Sequence, residues 1–589
     1  MGETLRTTPE AYYRSEYDLT GAMTGIEVDE GKNASVDSRR ELSYDPLGRL
    51  ASETIIFDSG SPSFTTSYGY DRVGNRTSIT WSDGYTARYV YDDISRLVQV
   101  CEDSDGNGTC ERVLSRYAYD DLGRPISARF GDNQSSSIYY SFEDDGDLAA
   151  LRHDFGGTIR DFAHSYNANG ELTASYASDG SWLWSATGSR TVNYDVANER
   201  NELLGWTESS THTSAFYDAN GNYSGNGVNS FASHNSSNQM TGYTAASGAT
   251  ANYIYGPMGR RIETTLAGVR TRYAHVGDME IAEYALISGT WKIKTRYIPG
   301  AGVDQRVAMI TVNTSNGATI AREYYHSNRL GSVIAMAAEN GSVTANYVYT
   351  PYGVEDYGSS GNPFRYTGRR YDAAIDLYYY RARYYDAQLG RFLETDPVLY
   401  ADQMNLYAYV GNSPLNGTDP TGEFANFLIG AGIGLIAEGL TIAAEGGNPL
   451  DVGANLDRYA VAGLVGAVSG GLGGLASKGI MTTARSSTGI LRAANQVSSD
   501  AIGGGLGAVA GEATNQMVTE GELNGRDVFE AGVAGLIVGG TASSAGQLAG
   551  IVDDAGRAAA VAAAGSELAV AEPIADWVDS RADVIAGED

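Results

Sequence analysis

Two cysteines, Cys101 and Cys110, are all that the 589-residue chain carries, which excludes a disulfide scaffold. Lysine is confined to Lys32, Lys292, Lys294 and Lys478, so there is no Lys-rich tail or targeting patch. Against 72 acidic residues stand 41 basic ones, a net charge of −31. That balance argues against nucleic acid as a partner, because phosphate binding needs a positive footprint, and it disfavours an anionic membrane surface. The start, Met1-Gly2-Glu3-Thr4-Leu5-Arg6, lacks the basic opening and apolar run of a signal peptide. Export would need another signal or an upstream region, and the chain is read as a candidate fragment of a longer one.

Proline is also scarce, at 13, whereas there are 41 Tyr and 74 Gly. Excess aromatics and glycine with little proline point to many short strands joined by tight turns, not to a disordered chain. The length would allow about four average domains, although all-β units often run longer as one piece. A repeat governs the first half: aromatic-Asp/Asn-x-x-Gly-Arg-apolar. It is clearest in Tyr44-Asp45-Pro46-Leu47-Gly48-Arg49-Leu50 and Tyr119-Asp120-Asp121-Leu122-Gly123-Arg124. Further copies begin at Tyr17, Tyr70, Tyr91, Phe142, Tyr166, Tyr194, Tyr217 and Tyr255, and the long gap before Tyr255 implies a degraded copy near Phe231. The unit has the chemistry of a β-hairpin. Asp or Asn bonds the backbone two residues on, and Gly supplies the positive φ that closes the turn. Apolar/polar alternation flanks the turns, as in Ser78-Ile79-Thr80-Trp81. One hairpin cannot bury its apolar face, whereas stacked copies form a continuous sheet with a ladder of Tyr. No single copy is a site by itself.

These residues resemble the YD repeat of the Rhs family, shared with C-subunits of insecticidal toxin complexes and with teneurins. The next segment strengthens the resemblance. Tyr325-His326-Ser327-Asn328-Arg329-Leu330-Gly331-Ser332, Tyr349-Thr350-Pro351-Tyr352-Gly353, Phe364-Arg365-Tyr366-Thr367-Gly368 and Leu377 to Asp386 follow in family order. Gly390 to Pro397, Asn405 to Pro414 and Asp419-Pro420-Thr421-Gly422 complete a sequence similar to the Rhs repeat-associated core. The likeness spans roughly residues 1–423. It implies a mainly β fold, a spiral of antiparallel hairpins wound into a hollow shell that encloses a variable C-terminal polypeptide, usually a toxin. Backbone ladders around a wide lumen suit such a container. A shell of this length is small for the family, so an upstream region or partner chain is expected to complete it.

The resemblance also implies aspartic-type self-cleavage at the core's C-terminal boundary. Matched by motif, the residues are Arg383, Asp396 and Asp419, with the cut in the neighbourhood of Gly422, Glu423 and Phe424. Two carboxylates held close cannot both ionise easily, so one serves as acid while the other activates water. A guanidinium beside them biases which one ionises or stabilises an oxyanion. The competing reading is a turn opener at each Asp-Pro and a buried ion-pair network of Arg381, Arg383 and Asp386. Glu423 departs from the family pattern, which has an apolar residue there, and a charge at that position would oppose cleavage.

A second candidate is Cys101-Glu102-Asp103-Ser104-Asp105-Gly106-Asn107-Gly108-Thr109-Cys110-Glu111. Oxygen ligands at Asp103, Asp105 and Asn107, then Gly108, copy the first half of a Ca²⁺ loop. The twelfth position holds Leu114 in place of Glu, and Glu111 is the nearest substitute. The competing reading is a polar hairpin tip between strands ending at Val100 and starting at Arg112, with a disulfide or two free thiols, Cys101 and Cys110, at its base.

After Glu423 the composition turns to Gly, Ala, Leu, Ile and Val, with uncharged stretches at 459–477 and 531–552. Gly463, Gly466, Gly470, Gly471, Gly473 and Gly474 form a small-residue stripe of the kind that packs helices closely. All six His precede residue 330 and no Cys follows Cys110, which removes His-metal nucleases, Cys-His hydrolases and deaminases for this tail. No toxin-enzyme motif stands out in it. The expected organisation is a YD-repeat shell at 1–320, a core domain at 321–423 and an α-helical Gly/Ala-rich tail at 424–589. The tail reads as a spacer before a toxin or as a membrane-active passenger. The expected function is a secreted or cell-surface polymorphic-toxin shell that delivers its own C-terminus. A secretion-system component and an immunity protein are its expected partners. The contending class is a teneurin-style adhesion or carbohydrate-binding protein.

Overall fold

The computed structural model describes residues 2–427 apart from 8–10, 31–36, 58–62, 185–190, 196, 303, 359–360, 402 and 424–425. The helical tail expected beyond residue 423, and Phe424 with it, therefore lies outside the described residues, except for Asn426–Phe427, which form a short strand antiparallel to Gly417–Thr418. Strand after strand pairs with its neighbour in sequence. The first sheet has 15 strands, from Gly2–Thr7 to Leu172–Ala177; a second has 14, from Phe216–Tyr217 to Glu355–Gly358. Between them lies a 3-stranded sheet, Val192–Tyr194, Gly205–Glu208 and Thr211–Ser214. The pairings are antiparallel throughout, as in Tyr44↔Leu50 and Tyr119↔Pro125. This is the mainly β succession of hairpins that the repeat implies. The helical segments among the described residues are short 3-10 turns.

The repeat builds each rung by local chemistry. In the copy at Tyr119, Asp120 Oδ1 accepts from the backbone N–H of Leu122 and Arg124, at 3.0 and 2.8 Å, and Oδ2 accepts from Arg124 Nε at 2.7 Å. Gly123 donates its N–H to the Asp120 carbonyl and sits at φ +83, a backbone state that favours glycine. The copies at Asp45 and Asp92 repeat these bonds with Arg49 and Arg96. Rungs are tied to one another through the aromatic. Tyr70, Tyr119 and Tyr166 donate their hydroxyls to the carbonyls of Leu50, Leu97 and Leu148 in the preceding hairpin, at 2.8–3.0 Å. Arg49, Arg96 and Arg124 lie over the rings of Tyr70, Tyr119 and Phe142 in the following one, at 4.6–4.8 Å.

One copy departs from the tight form, and a degraded one keeps its bonds, with Asn235 Oδ1 accepting from the N–H groups of Ser237 and Gln239. After Tyr194 the chain makes a wider loop in which Asp195 N–H donates to Gly205 O around a nested turn, Asn198 to Glu202. The degraded copy expected near Phe231 is the turn Asn235 to Gln239, which follows strand Phe231–His234.

The two large sheets meet. One apolar cluster joins Phe64, Trp81, Tyr89, Val100, Phe130, Leu151 and Phe162 of the first to Val276, Ile281, Ile298, Ile310 and Ile334 of the second. Trp81 Nε1 donates across this junction to Ile281 O at 3.1 Å, and Phe64 stacks on Tyr284 at 3.7 Å. The second sheet runs through residue 320 within strand Thr319–Ser327. Beyond it a 4-stranded sheet, Arg370–Asp372, Leu377–Tyr379, Tyr384–Asp386 and Arg391–Phe392, is tiled with buried Tyr and carries the candidate site.

Candidate active site around Arg383

Arg383 stands just before strand Tyr384–Asp386, at the end of a bend in which Arg381 takes φ +66. Its side chain is fully buried and lies against the face of Phe392, 3.7 Å from the ring centre. Every guanidinium nitrogen has a use. Nε donates to Gly422 O at 2.5 Å and Nη1 to Leu406 O at 3.1 Å. Nη2 meets Asp396 Oδ2 at 2.9 Å and Asp419 Oδ2 at 3.2 Å. The structure thus brings Arg383, Asp396, Asp419 and Gly422 into one buried cluster, although 36 residues separate Arg383 from Asp419.

Each aspartate is held by the turn it opens. Asp396 donates its N–H to Leu406 O, and its Oδ1 accepts from Val398 N–H at 2.9 Å. Asp419 Oδ1 accepts from the N–H groups of Gly422 and Glu423, at 2.8 and 3.1 Å. Turn opening and clustering therefore coexist. Gly422 sits at φ +75, and a Cβ there would come within 2.3 Å of Tyr380 O, so only glycine fits. Of the expected alternative network, Arg381 pairs with Asp304 at 2.5 Å, whereas Asp386 Oδ1 accepts from the N–H groups of Gln388 and Leu389.

Sequence reasoning missed the clamp on the neighbouring peptide. Arg369 and Arg381 both donate to Pro420 O, at 2.8 and 2.6 Å, and Asp304 is ion-paired to both. It also missed Glu394, which accepts from Tyr384 N–H at 2.8 Å and meets His234 at 3.3 Å. Glu394 lies in a quoted motif; Asp304 belongs to none, and nothing local marks it. Glu423 is half-buried. Burial, then Asp419 and Asp278, push its carboxyl above the usual range, against Arg383 and Arg381.

The other candidate lies at the tip joining strands Leu97–Asp103 and Arg112–Tyr119. Cys101 and Cys110 are disulfide-bonded across its base. Carboxylate oxygens of Asp103, Asp105 and Glu111 lie within 4.8 Å of one another. Asn107 is occupied otherwise: its Oδ1 accepts from Thr109 N–H and its Nδ2 donates to Asp105 Oδ2.

Serial hairpins with Asp/Arg-locked turns, capped by a Tyr-tiled core with a buried Arg–Asp cluster, define a YD-repeat shell of the Rhs type. The profile described as Teneurin YD-shell matches residues 119–415, half of the chain, and the chain belongs to that family. Among its relatives is the tRNA3(Ser)-specific nuclease WapA of Bacillus spizizenii, 27% identical over 381 residues, covering 62% of this chain and 15% of WapA. Another is the toxin subunit YenC1 of Yersinia entomophaga, 25% identical over 413 residues, covering 65% of this chain and 38% of YenC1. The chain thus spans well under half of either relative. A crystal structure of TcdB2–TccC3 without its hypervariable C-terminal region shares the fold at 15% identity and a TM-score of 0.56, over 70% of this chain and 26% of that one.

Proposed function

We propose that the chain is the shell and core of a polymorphic-toxin-type protein that encloses its own C-terminal region and frees it by one self-cleavage. In this reading residues 1–320 form the shell, 321–423 the core with its cutting site, and 424–589 the enclosed segment. The protein works outside the producing cell, and an exporting system, an immunity protein and a shell-completing region or partner are its associates. Toxin subunits among the relatives support the class. The observation that carries the cleavage is the Gly422 carbonyl on Arg383 Nε, with Asp419 Oδ1 3.1 Å from the nitrogen of Glu423.

The chemistry follows from that geometry. One guanidinium faces two buried carboxylates, so one of them retains a proton. The ionised carboxylate of the pair takes a proton from water as the water oxygen bonds to the Gly422 carbonyl carbon. Arg383 steadies the oxyanion. The protonated partner passes its proton to the Glu423 nitrogen as the C–N bond breaks, leaving a carboxyl on Gly422 and an amine on Glu423. Tethering favours a single turnover by proximity.

The test is a denaturing gel of purified protein. Two bands that co-elute under native conditions are expected, with a new N-terminus at Glu423 by mass spectrometry. Asp396→Asn or Asp419→Asn should restore one full-length band. If wild type stays whole and Glu423→Leu is cut, the machinery is present and its substrate has decayed. If both stay whole, the aspartates are architectural and the cleavage reading fails.

A further inference from the structure

We propose that the hairpin tip Asp103–Glu111 is a calcium site, formed by Asp103, Asp105 and Glu111 and locked by the Cys101–Cys110 disulfide. The proposal is independent of self-cleavage. The backbone sets the geometry. Glu102 pairs with Arg112, and Glu111 donates its N–H to Glu102 O at 2.8 Å, so Asp103 and Glu111 face each other across the base of the loop. Gly108, sixth from Asp103, turns the chain at φ +93, and a carboxylate oxygen of Asp105 lies within 4.8 Å of those of Asp103 and Glu111.

Acidic side chains often meet at a hairpin tip without a ligand. Asp103 is different, because it is fully buried. Its Oδ2 is spoken for, accepting from Arg88 Nε at 2.6 Å and from Gly108 N–H at 3.0 Å. Its Oδ1 is buried and has no hydrogen-bond partner. A carboxylate oxygen shut away from water without a donor carries an uncompensated desolvation cost. A cation drawn to the converging oxygens of Asp105 and Glu111 removes it. Glu111 is already aimed, since its Oε2 accepts from the N–H and hydroxyl of Ser104, at 3.1 and 2.5 Å.

The donor set is all hard oxygen, which favours Ca²⁺ over zinc or copper, with water completing the shell. Three protein carboxylates beside an arginine suit the weak end of the calcium range, roughly 10⁻⁴–10⁻³ M, the regime of extracellular modules. Disulfides also persist outside the cell. Disulfide and ion would therefore act in the same compartment. They would act next to Glu102, whose carboxylate holds Arg322 of the second sheet at 2.6 and 3.0 Å.

Calorimetric titration of the full-length, chelator-treated protein with CaCl₂ tests this. A single saturable event of one ion per chain is expected. Asp105 and Glu111 are exposed, so Asp105→Asn and Glu111→Gln should fold as wild type. Each should weaken binding by roughly tenfold or more, the order expected when a divalent cation loses a charged ligand. Absence of saturable binding up to roughly 10 mM, beyond the weakest extracellular modules, overturns the proposal. So does binding that both variants leave unchanged, because the ions are then gathered by the chain's general negative charge.

Discussion

Glu423, beside the proposed cut, illustrates how much one side chain depends on its surroundings. Burial raises its carboxyl above the usual range, and Asp419 and Asp278 add to the effect. A carboxyl with a raised folded value binds its proton more tightly in the native state. Its contribution is thus intact below the unfolded value, near 4.5, and is lost as pH rises through the folded value. At neutral pH the charge is a burden. In an Asp396→Asn background, chosen to prevent the proposed cut, Glu423→Gln should raise the unfolding midpoint at pH 7 and change little at pH 4. The gain should stay below about 1 kcal/mol because water still screens the group. Equal effects at both pH values would place the benefit elsewhere. Arg383, Asp396 and Asp419 were legible in the sequence because each sits in a motif of fixed order. Asp304 was not, since its tie to Arg381 crosses 77 residues and depends on how the chain folds back.

At the scale of the hairpin, the repeat places its bonds within five residues, so they can be read before any fold is known. Asp120 alone accepts two backbone N–H groups and the Arg124 side chain, and Arg124 in turn lies over Phe142 of the next rung. Asp120→Ala should therefore lower stability by about 1–3 kcal/mol, the range for leaving part-buried donors unmet. Tyr119→Phe, which loses one bond to Leu97 O, should cost only about 1 kcal/mol. Urea midpoints followed by tyrosine fluorescence will rank the two, and an equal loss would mean that the aspartate holds the rung no more firmly than the single tyrosine hydroxyl bond. The same locality explains where reading failed. At Tyr194 the sequence keeps the aromatic-Asp start, but Asn198 captures a turn of its own, with Asn198 Oδ1 accepting from Glu202 N–H at 3.1 Å, and the loop widens. Turn chemistry is legible; competition between two adjacent turns is not.

Across the whole molecule, the contact between the two large sheets is what local patterns could not supply, and a histidine pair lies in it. His153 of the first sheet and His326 of the second are fully buried, with their Nδ1 atoms 3.2 Å apart among Phe130, Phe155 and Phe162. Burial pushes His153 down to about 3 despite Asp161, and burial with His153 beside it pushes His326 well below its ordinary value. Both are neutral in the fold and take a proton readily only when unfolded. Their contribution is therefore present above an unfolded value near 6.5 and is lost as pH falls below it. Between pH 7 and pH 5 each should cost the fold about 2 kcal/mol, at 1.36 kcal/mol per pH unit. The carboxylates whose values are lowered act in a different window. Glu283, held down to about 2 chiefly by Arg370 against its burial, loses its contribution only as pH falls below 4.5. Thermal midpoints from pH 7 to pH 5 should drop. His326→Phe should lower the midpoint at pH 7, because it strands His153 Nδ1, and should shrink the acid-induced loss by about 2 kcal/mol. A pH dependence unchanged in that variant would remove the pair as its source. An acid loss that shrinks as expected would show that mild acid weakens the shell at the junction of its two sheets, while the hairpin rungs, held by aspartates of low proton affinity such as Asp45, Asp92 and Asp120, stay formed.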